Sequence, residues 1–160
     1  MYARASTSGG VGMAIGAAVG AGVALAAVSD IVLAVESATF ALAEIDVGVL
    51  GAASFAQWMV GPGKARRMFY TGERVPAAEM YRLGGVEAVV SRADLLTEAH
   101  ALASVIAAKD PVAIRMAKAS VVRTDTLPLE TAYRTEQDYT RQLSAYANSA
   151  DAIARFVSKG

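Results

Sequence analysis

Val11 to Val28 is an unbroken run of Gly, Ala, Val, Met, Ile and Leu, and no charged residue occurs from Ala5 to Ser29. Such a run has to leave water, which leaves a protein core, a bilayer or an export signal. At eighteen residues it has the length of a membrane span. Gly12, Gly16 and Gly20 also repeat at the spacing that lets membrane helices approach closely. Arg4 ahead of it and Ala24-Leu25-Ala26 within it outline a secretory signal with a small-x-small cleavage site. The composition speaks against both. The run holds a single Leu, a single Ile and a single Met among its Gly and Ala, so its transfer to lipid gains little. One basic residue precedes it, and from Asp30 the chain continues as a strand with no sign of a boundary. The run therefore reads as part of a globular core that bends at its glycines, with no membrane partner.

Glycine usage divides the chain. Eleven of the 14 Gly lie at or before Gly72, and after Gly85 none occurs until Gly160. The first half must bend tightly or approach something closely; the second half reads as helices. At 160 residues one core is affordable, since such a chain buries roughly 70% of its unfolded surface. Hydrophobic residues at 54% and aromatic residues at 7% make that core mainly Ala, Val, Leu and Ile, and exclude a disordered chain. A formal net charge of zero argues against nucleic acid as a partner. The absence of Cys excludes a disulfide scaffold, thiolate zinc, an iron–sulfur cluster and a Cys nucleophile. With His100 as its one histidine the chain has no material for a His-rich metal site, and no metal is expected.

Residues 1–10 read as a small-residue lead, Met13 to Ile15 as a short strand, and Gly16 to Gly22 as a Gly/Ala turn. Val23 to Ser29 is predicted to be a buried helix. Ile31 to Val35 is rich in β-branched residues and predicted to be a buried strand, followed by a turn over 36–38 and a strand over 39–42. Gly48 to Gly51 reads as a loop. Ala52 to Val60 is predicted helical up to the Gly61-Pro62-Gly63 breaker, with a short helix from Lys64 to Tyr70. Pro76 to Leu83 reads as a helix with Pro in its first turn, and Val86 to Val90 as a strand. Helices are predicted from about Arg92 to Lys109 and from Pro111, where Val112, Ile114, Met116 and Val121 are the partly buried positions. Leu127 to Ala147 and Ala150 to Ser158 complete the helical region. No internal repeat is visible, and one domain is the economical reading.

Read in series, these pieces resemble the crotonase family, the enoyl-CoA hydratases and isomerases. The resemblance runs through GAAVGAGVALAAVSDIVLA (Gly16 to Ala34), ATFALAEIDVGVLG (Ala38 to Gly51) and GPGKARRMFYTGERVPAAEMYRLGGVEAVV (Gly61 to Val90). It continues in the helix over 95–109 and in DPVAIRMAK. It implies an α/β fold: the C-terminal part of a crotonase-like spiral of strands and helices over residues 1–90, then a helical region over residues 91–160 in the same structural domain. The chain so read is N-terminally shortened, cytoplasmic, and a homo-oligomer, trimer or hexamer. Its substrate is an acyl-CoA, with coenzyme A entering as part of the substrate and no separate cofactor.

Chemistry of this family develops negative charge on a thioester oxygen, which backbone N–H groups stabilise; removing one such donor costs roughly 2.7–4 kcal/mol. The resemblance places one donor at Ala21, the middle of the Gly-rich turn, and another on a loop further upstream. It assigns Gly20, Gly22 and Gly51 to substrate contact. The hydratases use two carboxylates. The first falls on Ala24 and is missing; the second falls on Glu44, preceded by Ala43 where Pro is usual. Glu44 is then the single acid/base, and the bland alternative is a strand-end carboxylate in solvent or an ion pair. Asp46 and His100 read as surface residues. Trp58, Met59 and Phe55 either line an acyl pocket or pack in the core. Arg66 and Arg67 either meet a CoA phosphate or lie on a solvated helix face. Tyr133, Tyr139 and Tyr146 read as packing residues. Two functions fit: an acyl-CoA enzyme moving a proton through Glu44, by isomerisation or hydration of an enoyl-CoA, or a non-catalytic, oligomerising, acyl-CoA-binding remnant.

Overall fold

The uncharged run does not fold as one helix. In the computed structural model, which describes residues 10–146, it breaks into strand β1 (Val11–Ala14), strand β2 (Ala17–Val19) and helix α1 (Ala21–Val28). Gly16 and Gly20 fall at the joints between them. Among the described residues no helix is long and apolar enough to cross a membrane. Strand β2 occupies part of the stretch whose composition predicted a turn. Ala and Gly have weak strand preference, so what holds β2 extended is its ladder with a later strand.

Two small sheets carry the first unit, Gly10–Val105. Strands β3 (Ile31–Val35) and β6 (Ala88–Val90) form one sheet with β1, in the order β1-β3-β6, all parallel. Strands β4 (Thr39–Ala41) and β5 (Val75–Pro76) form the other with β2, in the order β2-β4-β5. There β2 and β4 are parallel and β4 and β5 antiparallel. The chain thus winds as a spiral: a strand in one sheet, a strand in the other, a helix, then the same again one layer on. A central parallel strand is covered on both faces and shows a continuous apolar run rather than alternation. Ile31–Val35 does so, with Val32, Leu33, Ala34 and Val35 buried.

Helices α2 (Ala53–Thr71), α3 (Ala77–Arg82) and α4 (Leu95–Ala107) complete the layering. The predicted break in α2 appears as a kink at Gly61, whose φ of 74° and ψ of 166° no helical residue adopts; Pro62, lacking an N–H, opens the second segment without loss. Pro76 precedes α3 as its cap rather than sitting in its first turn. Phe40, Leu42, Met68, Met80, Val23, Val75 and Val86 are fully buried at the centre of this unit. Helix α1 is not buried throughout as predicted. Val23, Ala27 and Val28 face the core, but Leu25 is 67% exposed. Leu25 lies on a cavity of about 380 Å³ lined also by Met13, Ile15 and Gly22, and no described residue fills it.

From Ile106 a second unit begins. Within it, helices α5 (Pro111–Thr124) and α6 (Leu129–Ala145) pack on each other. Asp110 caps α5, its Oδ1 accepting from the amides of Val112 (2.8 Å) and Ala113 (2.9 Å), with Pro111 at the first helical position. Val121 was predicted partly buried and is exposed, as are Tyr133 and Tyr146, predicted as packing residues. The reason is that α6 has no fully buried residue; Tyr139 and Leu143 are half-buried. The helix predicted over 150–158 and the lead over 1–9 lie outside the described residues.

Candidate active site

Register brings the site together. Val19 of β2 lies beside Ala41 of β4 in a parallel pair, so both strands run out at the same sheet end. Gly20-Ala21 follows one strand and Leu42-Ala43-Glu44 the other. Ligand chemistry in parallel sheets gathers at the carboxyl ends of strands, where successive turns and helix N-termini converge.

Gly20 ends β2 and caps α1 with a φ of 51° and ψ of −106°, a region that L side chains do not enter. Its N–H is used, donating to Ala41 O at 3.0 Å. The first amide beyond it is that of Ala21, the opening residue of α1. Amides in the first turn of a helix have no acceptor one turn back, and no side chain caps α1. Ala21 itself is exposed. An open N–H at the positive end of a short helix is suited to an oxygen bearing developing negative charge.

Glu44 lies in a short 3-10 helix, Ala43–Val47. The following loop is stapled back onto it: Gly48 N–H donates to Ile45 O (3.2 Å) and Val49 N–H donates to Glu44 O (3.0 Å). The Glu44 carboxylate lies close to two glycines. A Cβ on Gly51 would lie 3.6 Å from Oε1, and a Cβ on Gly20 would overlap Oε1 outright. Oε2 is the one buried side-chain oxygen or nitrogen among the described residues without a hydrogen-bond partner. Leaving a buried oxygen unpaired costs about 1–3 kcal/mol, and such an atom in a native fold calls for a reason, catalysis among them. No described residue satisfies Oε2.

Gly20, Glu44 and Gly51, named from the sequence, thus meet, with Ala21 next in the chain. Gly22 does not join them; it lines the cavity beside Leu25, where a Cβ would touch the Ala18 Cβ at 3.5 Å. Ala24 leaves α1 without a carboxylate on its first turns. Asp46 is exposed, its carboxylate lying over Gly72 at the end of α2, where a Cβ would come within 2.8 Å of Oδ2.

The other candidates stand apart. Met59 is in the core, and Phe55 meets Trp58 edge-to-face at 5.5 Å. Trp58 borders a cavity of about 170 Å³ shared with Asp30, Gly85 and Glu87, not with Glu44 or Ala21. Lys64 and Arg67 both hold Glu73, at 2.7 and 2.8 Å. Those hydrogen bonds, Lys64's first, keep the Glu73 carboxyl below the usual glutamate range. Arg66 and His100 are exposed. Among the described residues no three His, Cys, Asp or Glu gather as a metal site would require. What the sequence reading did not single out are the apolar residues that follow Glu44: Val47, Val49 and Leu50 are 76%, 54% and 71% exposed. Three large apolar side chains within six residues of the candidate base were the available signal.

Known proteins resemble this chain in sequence and in fold. The family model for enoyl-CoA hydratase/isomerase matches residues 10–160. The chain is 37% identical over 145 residues to the (7aS)-7a-methyl-1,5-dioxo-2,3,5,6,7,7a-hexahydro-1H-indene-carboxyl-CoA hydrolase of Rhodococcus jostii, covering 91% of this chain and 56% of that protein. It is 35% identical over 147 residues to the probable enoyl-CoA hydratase of Mycobacterium bovis, covering 90% of this chain and 57% of that one. Among solved structures, an enoyl-CoA hydratase of Mycobacterium smegmatis matches with a TM-score of 0.86 at 31% identity, over 91% of this chain and 57% of that chain. The chain therefore spans somewhat more than half the length of the relatives it matches.

Proposed function

The chain belongs to the enoyl-CoA hydratase/isomerase, or crotonase, family, and on that premise we propose that it acts on an acyl-CoA thioester with Glu44 as its single acid/base. The observation that carries this reading is the Glu44 carboxylate, seated against Gly20 and near Gly51 with a buried oxygen that no donor among the described residues satisfies.

Double-bond migration in a 3-enoyl-CoA needs one base and one oxyanion donor. The Glu44 carboxylate takes a proton from C2, and the electron pair of that C–H bond moves into the thioester as a dienolate. The Ala21 N–H stabilises the thioester oxygen as it gains charge. Glu44 then returns the proton to C4, the C3–C4 double bond is replaced by one between C2 and C3, and the carbonyl re-forms. No atom is gained or lost, and no cofactor beyond the coenzyme A of the substrate takes part. Hydration by two carboxylates is disfavoured because the position of the first holds Ala24. The test is the fate of two substrates: the protein should isomerise a 3-enoyl-CoA faster than it hydrates a 2-enoyl-CoA, and Ala24→Glu should raise hydration specifically. Equal hydration by the wild type would overturn the single-base reading.

Self-association as a trimer or hexamer is part of the same proposal, supported by the apolar residues that α6 leaves exposed, Leu129 at 87% and Tyr133 at 60%. Against the non-catalytic remnant stands the buried, unpaired Oε2 of Glu44, which a binding module does not require. A second reading has an observation in its favour: the Rhodococcus relative is a hydrolase of a bicyclic carboxyl-CoA, and the apolar loop after Glu44 suits a bulky acyl group of that kind.

A further inference from the structure

Why the carboxylate of Glu44 stays where it is has an answer in the packing, and the answer is a residue without a side chain. The site places Glu44 Oε1 in the volume that a Cβ on Gly20 would occupy; such a Cβ would also come within 2.7 Å of the Glu44 Cδ and 3.4 Å of Oε2. A Cβ on Gly51 would meet Oε1 only at 3.6 Å, an ordinary contact, and Oε2 is already buried. The Glu44 carbonyl is pinned by the Val49 amide at 3.0 Å, so the backbone cannot carry the side chain away without opening the loop. We infer that Gly20 is a positioning residue for Glu44: its missing side chain is the slot in which the carboxylate is seated beside the Ala21 amide.

Gly20 has two reasons to be glycine, and they predict different things. Its φ of +51° penalises any L side chain whatever Glu44 does. The overlap with the carboxylate penalises a side chain only while Glu44 is long enough to reach. A double-mutant cycle separates the two, because backbone strain is common to both legs and cancels.

The experiment compares the folding equilibrium of the wild type, Gly20→Ala, Glu44→Ala and Gly20→Ala/Glu44→Ala by urea titration of the full chain. The slot predicts that the Gly20→Ala penalty on the folding constant is smaller by about tenfold or more when Glu44 is absent, within the range measured for residues in direct contact. Glu44→Asp, which withdraws the carboxylate by one methylene, should rescue Gly20→Ala in part. Equal penalties in both backgrounds, failure of both Gly20→Ala proteins to fold included, would overturn the inference and leave Gly20 a backbone requirement alone.

A second readout belongs to positioning and not to structure. With a 3-enoyl-CoA, Gly20→Ala should lower kcat while KM changes little; unchanged kcat in a folded Gly20→Ala protein overturns the inference as well. The inference rests on the proposed role of Glu44 only for this kinetic arm. If the wild type turns over no enoyl-CoA, the proposed function fails while the stability cycle still decides the slot.

Discussion

Leu42 is the fully buried residue that joins β4 to the helix carrying Glu44. Leu42→Ala removes three carbon groups from a site with no exposure, and at about 0.8 kcal/mol each their transfer accounts for roughly 2.4 kcal/mol. The strands and helices around Leu42 cannot collapse fully into the gap. A residual void of about 50 Å³, at about 24 cal/mol per Å³, adds roughly 1.2 kcal/mol. The expected loss is therefore about 3–4 kcal/mol, inside the range for buried Leu→Ala changes. The single tryptophan, Trp58, lies in α2 of the same unit, so its fluorescence follows the unfolding of that unit in urea. With m near 2 kcal/mol/M for a chain of this size, the midpoint should fall by about 1.5–2 M at unchanged m. Leu50→Ala is the control: Leu50 is 71% exposed, and its truncation should stay within about 0.5 kcal/mol. A Leu42→Ala loss below about 1 kcal/mol, or equal losses at the two positions, would refute the placement of Leu42 in the core.

Three further outcomes are expected. Ala52 holds a φ of 58° at the start of α2, a left-handed conformation that costs an L residue about 1–2 kcal/mol; Ala52→Gly should stabilise by roughly 0.5–1 kcal/mol after the added chain entropy, and a lower melting temperature would contradict it. Glu73 is depressed by its hydrogen bonds from Lys64 and Arg67, so its contribution to stability is present above the ordinary glutamate pKa and lost as pH falls through the lower folded value; Glu73→Gln should flatten the stability profile in that acid window and leave the slope above it unchanged. Leu129→Asp together with Tyr133→Asp should shift sedimentation at micromolar concentration toward monomer, and an unchanged oligomer would exclude α6 from the interface.

Much of the frame was legible because apolar runs and breakers mark it strongly. Ile31–Val35 announces a strand covered on both faces, and Gly61-Pro62-Gly63 announces the break in α2. Strand β2 was not legible, because Ala17-Ala18-Val19 has no pattern of its own and is extended by its ladder with β4. Nor was the exposure of Leu25 and Tyr133, since an apolar residue states what it prefers to touch and not whether anything is there to touch it. In the site, Glu44 and Ala21 came from the order of motifs. The approach of Glu44 to Gly20, the neighbour of Ala21, depends on the parallel register of β2 and β4, and the slot at Gly20 depends on where one carboxylate sits. Ala52 carried no signal for its φ of 58°, because that is a conformation Ala does not favour.

The central claim is that the Glu44 carboxylate, seated against Gly20, moves the proton. The most direct test is the initial rate of double-bond migration in a 3-enoyl-CoA, followed by absorbance of the conjugated product, for the wild type and Glu44→Gln. Gln keeps the shape of the side chain and removes its ability to take and return a proton. The account predicts turnover by the wild type and a loss of about 10²–10⁴ in rate for Glu44→Gln, the usual contribution of one positioned acid/base. A Glu44→Gln protein as fast as the wild type would contradict it.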